Sequence, residues 1–399
     1  MSESPTGRAG AYLDHAATSP LRAEVWRAME AALGEADYNP ASPHGFGSAA
    51  SSRLEEARRT LASLLGAPRA AVHFTSGGTA ADNLAVLGFA RAYREREPVL
   101  LVSAVEHKAV LESARRAERE GARLEVIPVD GSGRVRLGTL EGALSRAAGV
   151  PCLVSLMWAN NEVGTVQPVA EAARLAHEHG AILHTDAVQA FGKVPVSFAD
   201  AGADLLTVTA HKLGGPVGIG ALVVREGTDL EPITFGGSQE RGLWPGTQSP
   251  LAAVGFAEAA RLAVEALPGS AERWRVLRDR LASAIADALP DARIHGEDAP
   301  ERLPNLVSVG LPGVDSAELL VSLDLEGIAA SSGSACSSGS QELSHVLAAM
   351  GIELPEAEPY AVLRFSLGPS TTEEEVERAG RVAARIARRL DSRTPARGA

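Results

Sequence analysis

From about Ala71 to Arg225 the chain alternates between two hydrophobic rhythms. Short runs rich in Val, Leu and Ile ("AVHFTS", "PVLLVSAVEH", "ARLEVIPVD", "PCLVSLMWAN", "AILHTDAVQ", "DLLTVTAHK", "IGALVVRE") are separated by stretches with helical spacing. In "VAEAARLAHEHG", Val169, Ala172, Ala173 and Ala176 follow the i, i+3, i+4, i+7 pattern of one buried helical stripe. Runs such as "CLVSLM" are apolar nearly throughout, which predicts strands covered on both faces. Repeated strand–helix–strand order predicts an α/β fold with a mostly parallel sheet. After about Gly255 the texture changes. Long Ala/Arg/Leu helical stretches lead to "NLVSVGLPG", a helix, a Ser/Gly loop and "YAVLRFSLG", which predicts a smaller α+β domain. The arginines of "ERAGRVAARIARRLDSR" alternate with apolar residues at helical spacing and read as the solvated face of a final helix.

Composition narrows the function classes. A chain of 399 residues is long enough for two domains. Its formal net charge of −12 offers no basic footprint for nucleic acid or an anionic membrane. No apolar stretch reaches the roughly 18 residues of a spanning helix. The N-terminal "MSESPTGRAG" lacks the basic start and apolar centre of a secretory signal. Cys152 and Cys336, the two cysteines, are far apart and make neither a disulfide framework nor a four-ligand zinc site. The expectation is a cytoplasmic protein with neither a membrane nor a nucleic-acid partner.

Four stretches carry chemistry. "TSGGTAADNLAV" sets a glycine pair and a threonine between a strand and a helix, where free N–H groups and the helix dipole suit a phosphate. Its glycine spacing is neither that of the P-loop nor that of the Rossmann fingerprint, and a tight strand–helix turn would use glycine in any case. "LHTDAVQAFGK" ends an apolar strand on Asp186, in the position where a parallel sheet opens its ligand crevice. A carboxylate buried there needs a cationic partner such as a protonated ring nitrogen; a helix cap or turn bond is the alternative. His184 and Asp186 as metal ligands rank low, and no metal is expected. "TVTAHKLGGPVGIGAL" puts Lys212 after an apolar strand and into a glycine-rich turn, where lost solvation would favour Schiff-base chemistry; a surface lysine at a strand end is the usual alternative, and this stretch alone favours it. "SSGSACSSGS" sets Cys336 among serine, glycine and alanine, where a thiol can reach and react; an incidental exposed cysteine in a connector is the equal alternative from this loop alone. Cys152, in contrast, reads as a packed strand residue. Phosphate cup, carboxylate and lysine are together the requirements of pyridoxal phosphate, and the thiol could act on its substrate.

The chain also resembles the cysteine desulfurases of the NifS/IscS type, within the class V aminotransferase family of fold-type I pyridoxal-phosphate enzymes. The resemblance runs in order through "YLDHAATSPLRAEV", "NPASPHGFG", "TSGGTAADNLA", "VEHKAVL", "NNEVGTVQPV", "HTDAVQAFGK", "HKLGGPVGIGAL", "GGSQERGL", "SSGSACSSGSQELSHVLAAMG" and "VLRFSLGPSTTEEEV". It implies a large cofactor domain over residues 15–255 and a small domain, 1–14 plus 256–399, carrying the Cys336 loop. It implies pyridoxal 5'-phosphate as a Schiff base on Lys212. Gly78, Thr79, Thr209 and His211 would bind its phosphate, with Thr247 reaching across from the second subunit of a homodimer. Asp186 would pair with the pyridinium nitrogen, Gln189 with the ring oxygen, and His107 would stack on the ring and transfer protons. Asn161 and Arg364 would hold the carboxylate of L-cysteine. Lys212 would take the Cα proton and Cys336 would accept the substrate sulfur as a persulfide. That persulfide would pass to an acceptor for iron–sulfur assembly or thiolation. Selenocysteine lyase, aminotransferase and a catalytically silent sulfur carrier are the alternatives; the thiol argues against the second and the retained Lys212, Asp186 and His107 against the third. Three positions depart from the family pattern: Ala80 stands where an acid is usual, Val217 interrupts the usual "GPKG", and Trp244 replaces an arginine.

Overall fold

The computed structural model describes residues 10–332, 343–353 and 359–393. The chain opens with strand β1 (Ala11–Tyr12) and helices α1 (Ala23–Ala32) and α2 (Gly45–Leu64). It continues through β2 (Val72–Thr75), α3 (Gly78–Ala92), β3 (Val99–Ser103), α4 (Lys108–Arg119), β4 (Arg123–Ile127), α5 (Leu137–Arg146), β5 (Cys152–Ser155), α6 (Val169–Glu178), β6 (Ile182–Asp186), α7 (Phe198–Ala201), β7 (Leu205–Thr209) and β8 (Gly220–Val224). Then come α8 (Pro250–Ala288), β9 (Arg293–Ile294), β10 (Leu306–Pro312), α9 (Ser316–Leu325), β11 (Ile328–Ala329), α10 (His345–Ala349), β12 (Tyr360–Ser366) and α11 (Glu373–Leu390).

The large sheet has the order β2-β8-β7-β6-β5-β3-β4, and within it only β8 runs against its neighbours. Its central strands are buried at nearly every position because alternate residues enter different cores. Val99, Leu101, Cys152 and Val154 pack with α2, α5, α6 and α8, whereas Leu100, Val102 and Leu153 pack with α3 and α4. Burial of each such leucine or valine stabilises by roughly 1.5–3 kcal/mol. The α/β expectation is met, including the stripe of Val169, Ala172, Ala173 and Ala176 on α6. The thiol of Cys152 is buried in β5, and desolvation pushes its pKa up to about 12.

The second core gathers β10 and β12, the second half of α8, α9 and α11 around Trp274, Leu281, Leu319 and Phe365. Helix α8 serves both units. Ala253, Phe256 and Ala260 belong to the first core, and Leu277, Leu281 and Ile285 belong to the second. The dividing point expected between residues 255 and 256 therefore lies inside this helix. In α11, Val376, Ala379, Ala383 and Ala387 face the core, a Thr372–Glu375 capping box starts the helix, and Arg381, Arg385, Arg388 and Arg389 stay exposed. No described helix is long and apolar enough to cross a membrane.

Candidate active site

The parallel strands end together, and the residues just beyond their carboxyl ends line a cavity of about 830 Å³. Gly78 and Thr79 come from the β2–α3 turn, His107 from β3–α4, Asn161 from the segment after β5, and Asp186 and Gln189 from the end of β6 and its turn. Thr209, His211 and Lys212 follow β7, and Arg364 reaches in from β12. Thr247 is exposed and stands outside the cavity of its own chain. Cys336 lies outside the described residues.

The stretch expected to cup a phosphate is a helix start. Gly77 is the N-cap of α3 and supplies no side chain to its first turn, so the helix presents main-chain N–H groups. A Cβ on Gly78 would lie 2.9 Å from Val188 Cγ2, so glycine is what lets the backbone pass here. Thr209 Oγ1 donates to the Ile219 carbonyl at 3.0 Å, and His211 Nδ1 meets Thr18 Oγ1 at 3.2 Å. Burial, followed by the charges of Lys212 and Lys193, lowers His211 to about 4, so its ring is neutral at physiological pH.

Asp186 forms the floor. Oδ1 accepts from the Val188 N–H at 2.8 Å. Burial raises its pKa, and His107, that N–H bond and Lys212 oppose the rise. Behind it, Asp82 is almost wholly buried, and its Oδ1 has no hydrogen-bond partner. Burial and the neighbouring Asp186 raise Asp82 well above the ordinary carboxylate range, and burial does the same to Glu106. Asp186 is thus the carboxylate of the floor best placed to keep its charge opposite a cation. Both ring nitrogens of His184 are engaged: Nδ1 meets Ser155 Oγ at 2.9 Å and Nε2 meets Thr207 Oγ1 at 3.1 Å.

His107 is the N-cap of α4. Its Nδ1 accepts from the Ala109 N–H at 3.1 Å, so the hydrogen of the neutral ring sits on Nε2. Burial lowers its pKa, with Asp186 opposing. Lys212 rides a short 3-10 turn, His211–Leu213, closed by Gly214 at φ +78°. A Cβ at Gly214 would lie 2.6 Å from Arg22 Cγ. Lys212 Nζ donates to the carbonyls of Ala16 and Ala17, both at 2.6 Å, and Gln189 Nε2 donates to Ala16 at 2.8 Å. Arg364 donates from Nη2 to Asp14 Oδ1 at 2.8 Å and from Nη1 to the Asn161 carbonyl at 3.0 Å.

Several lining residues carried no chemical role in the sequence analysis: Asp82, Asn83, Glu162 and His345. His345 Nε2 meets the Glu106 carbonyl at 2.9 Å, and Ser344, the N-cap of α10, donates to Glu162. Only the serine–histidine pair at a helix start, just after the Ser/Gly loop, hinted at the last of these. Ala80, Val217 and Trp244, the three departures from the family pattern, all line the cavity.

The donor set fits pyridoxal phosphate: uncapped N–H groups for a phosphate, a buried carboxylate for a ring cation, and an amine in the same cavity. The model of the class-V aminotransferases matches residues 11–379. A protein described as cysteine desulfurase IscS, from Dictyoglomus turgidum, is 40% identical over 384 residues, covering 96% of each chain. An IscS-like cysteine desulfurase from Mycobacterium tuberculosis is 42% identical over 373 residues, 92% of this chain and 94% of that one. Among solved structures, a NifS-like protein superposes with a TM-score of 0.87 at 34% identity, covering 96% of this chain and 100% of its own. A structure described as SspA in complex with cysteine reaches 0.76 at 30% identity, covering 91% and 100%. The chain belongs to the class-V aminotransferase family and, within it, to the pyridoxal-phosphate-dependent cysteine desulfurases.

Proposed function

We propose that this chain converts L-cysteine to L-alanine, with Lys212 as the amine that holds pyridoxal 5'-phosphate and Cys336 as the sulfur acceptor. The convergence of Lys212, Asp186, His107, Arg364 and the start of α3 on one cavity carries this reading. Gly78, Thr79, Thr209 and His211 would hold the phosphate, with Thr247 contributed from the second copy in a homodimer. Asp186 would hold the ring nitrogen and Gln189 the ring oxygen. When bound, the cofactor supplies an electron sink that makes the substrate Cα–H acidic and weakens the C–S bond. Arg364 and Asn161 orient the substrate carboxylate, and the Lys212 amine takes the Cα proton. His107, whose neutral ring carries its hydrogen on Nε2, would stand against the cofactor ring and move a proton from that atom. The Cys336 thiolate attacks the substrate sulfur: an S–S bond forms, the C–S bond breaks, and the released carbon fragment takes up protons to leave as alanine. The persulfide then passes, in the cytoplasm, to an acceptor protein serving iron–sulfur assembly or thiolation. Cys336 belongs to the small domain, residues 1–14 plus 256–399.

Alanine and sulfide release from L-cysteine with reductant tests this directly. Wild type yields the two in equal amounts, and Cys336→Ala loses both. Lys212→Ala loses the visible absorbance of the bound cofactor. A Cys336→Ala protein that releases both products at the wild-type rate would remove Cys336 from the mechanism and favour a lyase.

A further inference from the structure

The segment between β8 and α8 has no strand and only a short 3-10 turn, Gln239–Gly242, yet it delivers Ile233 and Trp244 to the cavity and carries Thr247. Inside that turn, Glu240 and Arg241 hold φ +45° and +57°, two successive left-handed residues that are not glycine. Such backbone persists only where surrounding contacts over-determine it. Here the contacts converge on one carboxylate. Glu240 Oε2 accepts from Arg58 Nη1 at 2.7 Å and from the Phe74 N–H at 3.0 Å. Its Oε1 accepts from Arg58 Nη2 at 2.9 Å and from Gln248 Nε2 at 2.8 Å. The Glu240 carbonyl accepts from the His73 ring at 3.1 Å, and Arg58 Nη1 also donates to the Val72 carbonyl at 2.7 Å. β2 is the edge strand of the large sheet, and the ion pair serves its outer N–H and C=O groups as a neighbouring strand would. Burial alone would raise the Glu240 pKa; Arg58 overcomes that and holds it below its ordinary value.

The partners of this carboxylate lie beside both halves of the phosphate site. Phe74 is in β2, which runs straight into Gly77, Gly78 and Thr79, and Gln248 is the neighbour of Thr247. We infer that Arg58 and Glu240 are positioning residues for cofactor phosphate recognition, clamping the strand that leads to the cup and the strap that presents Thr247 to the second copy. The inference rests on the functional reading above and deepens it.

Binding of two probes by the cofactor-depleted dimer tests it: pyridoxal 5'-phosphate, and pyridoxal, which lacks the phosphate. Glu240→Gln weakens the phosphate ester by about tenfold or more through a displaced cup and leaves pyridoxal within about twofold. A general loss of structure would weaken both alike. Arg58→Met with Glu240→Gln leaves no unpaired buried charge and gives the same selective loss if the single variant does not fold. Equal weakening of the two probes, or no weakening in a folded variant, overturns the inference. If the wild type itself binds neither probe, the failure belongs to the cofactor reading instead.

Discussion

Arg364 and Arg58 are both almost wholly buried, and each donates to a carboxylate far away in the sequence, yet their surroundings differ. Glu240 is enclosed, with its side chain 1% exposed, and its two oxygens are held by Arg58, Phe74 and Gln248. Asp14 keeps 20% of its side chain exposed and accepts at Oδ1 from Arg364 Nη2, and Arg364 itself lines the cavity. On the proposed role of Arg364, a substrate carboxylate would take the place of Asp14, and water could receive the displaced acid. No such exchange is open to Glu240, where separation would strand two charges in the interior. An arginine–carboxylate pair is thus a fixture in one place and, on the proposed role of Arg364, an exchangeable contact in the other. What decides between them is the solvent access of the acid, not the arginine.

The sharpest test of that contrast is Arg364→Met. It lowers kcat/KM for L-cysteine by about 10³-fold through loss of the carboxylate grip, while the absorbance of bound cofactor persists. Steady-state kinetics beside an absorbance spectrum checks it; a variant that loses its cofactor as well would make Arg364 a fixture too. Next in size is Arg58→Met, which leaves Glu240 buried and unpaired and destabilises the fold by about 3–5 kcal/mol in denaturant melts. A loss below about 1 kcal/mol would break the comparison, because it would place the Arg58 pair among exposed, screened ones.

Acid exposure gives the smallest effect. Burial lowers His15 and His295 to about 4, so each binds its proton more readily when unfolded. Their contribution is fully present above the unfolded value near 6.5 and is lost as pH falls toward 4. By pH 5.5 each removes roughly 1 kcal/mol. Glu240, held below its ordinary value, stays ionised through that window. Melting temperatures of wild type and His295→Gln between pH 7 and 5 separate the two sources. The variant's decline should be the shallower, and equal slopes would assign the acid loss elsewhere.

How much of this was legible beforehand follows from range. Gly78, Asp186 and Lys212 stand where a short apolar run meets a glycine or a turn, so the local pattern marks them as strand-end positions. His107 lies one turn beyond such a run, at a helix start, and was found through its family motif. His345 belongs to a five-residue helix whose pattern is too brief to announce a site. Asp82 sits inside an ordinary helical stretch, and nothing in its neighbours says that it faces Asp186 rather than water.

Periodicity by itself determined the α/β layering, the doubly covered strands and the crevice at their carboxyl ends, because burial of each side chain is set by the repeat of its own element. Tertiary structure alone decided which charges meet: Arg58 and Glu240 are 182 residues apart, and Arg364 and Asp14 are 350 apart. Whether either pair is enclosed or wet depends on the packing of elements from both ends of the chain, and local sequence carries no record of that distance.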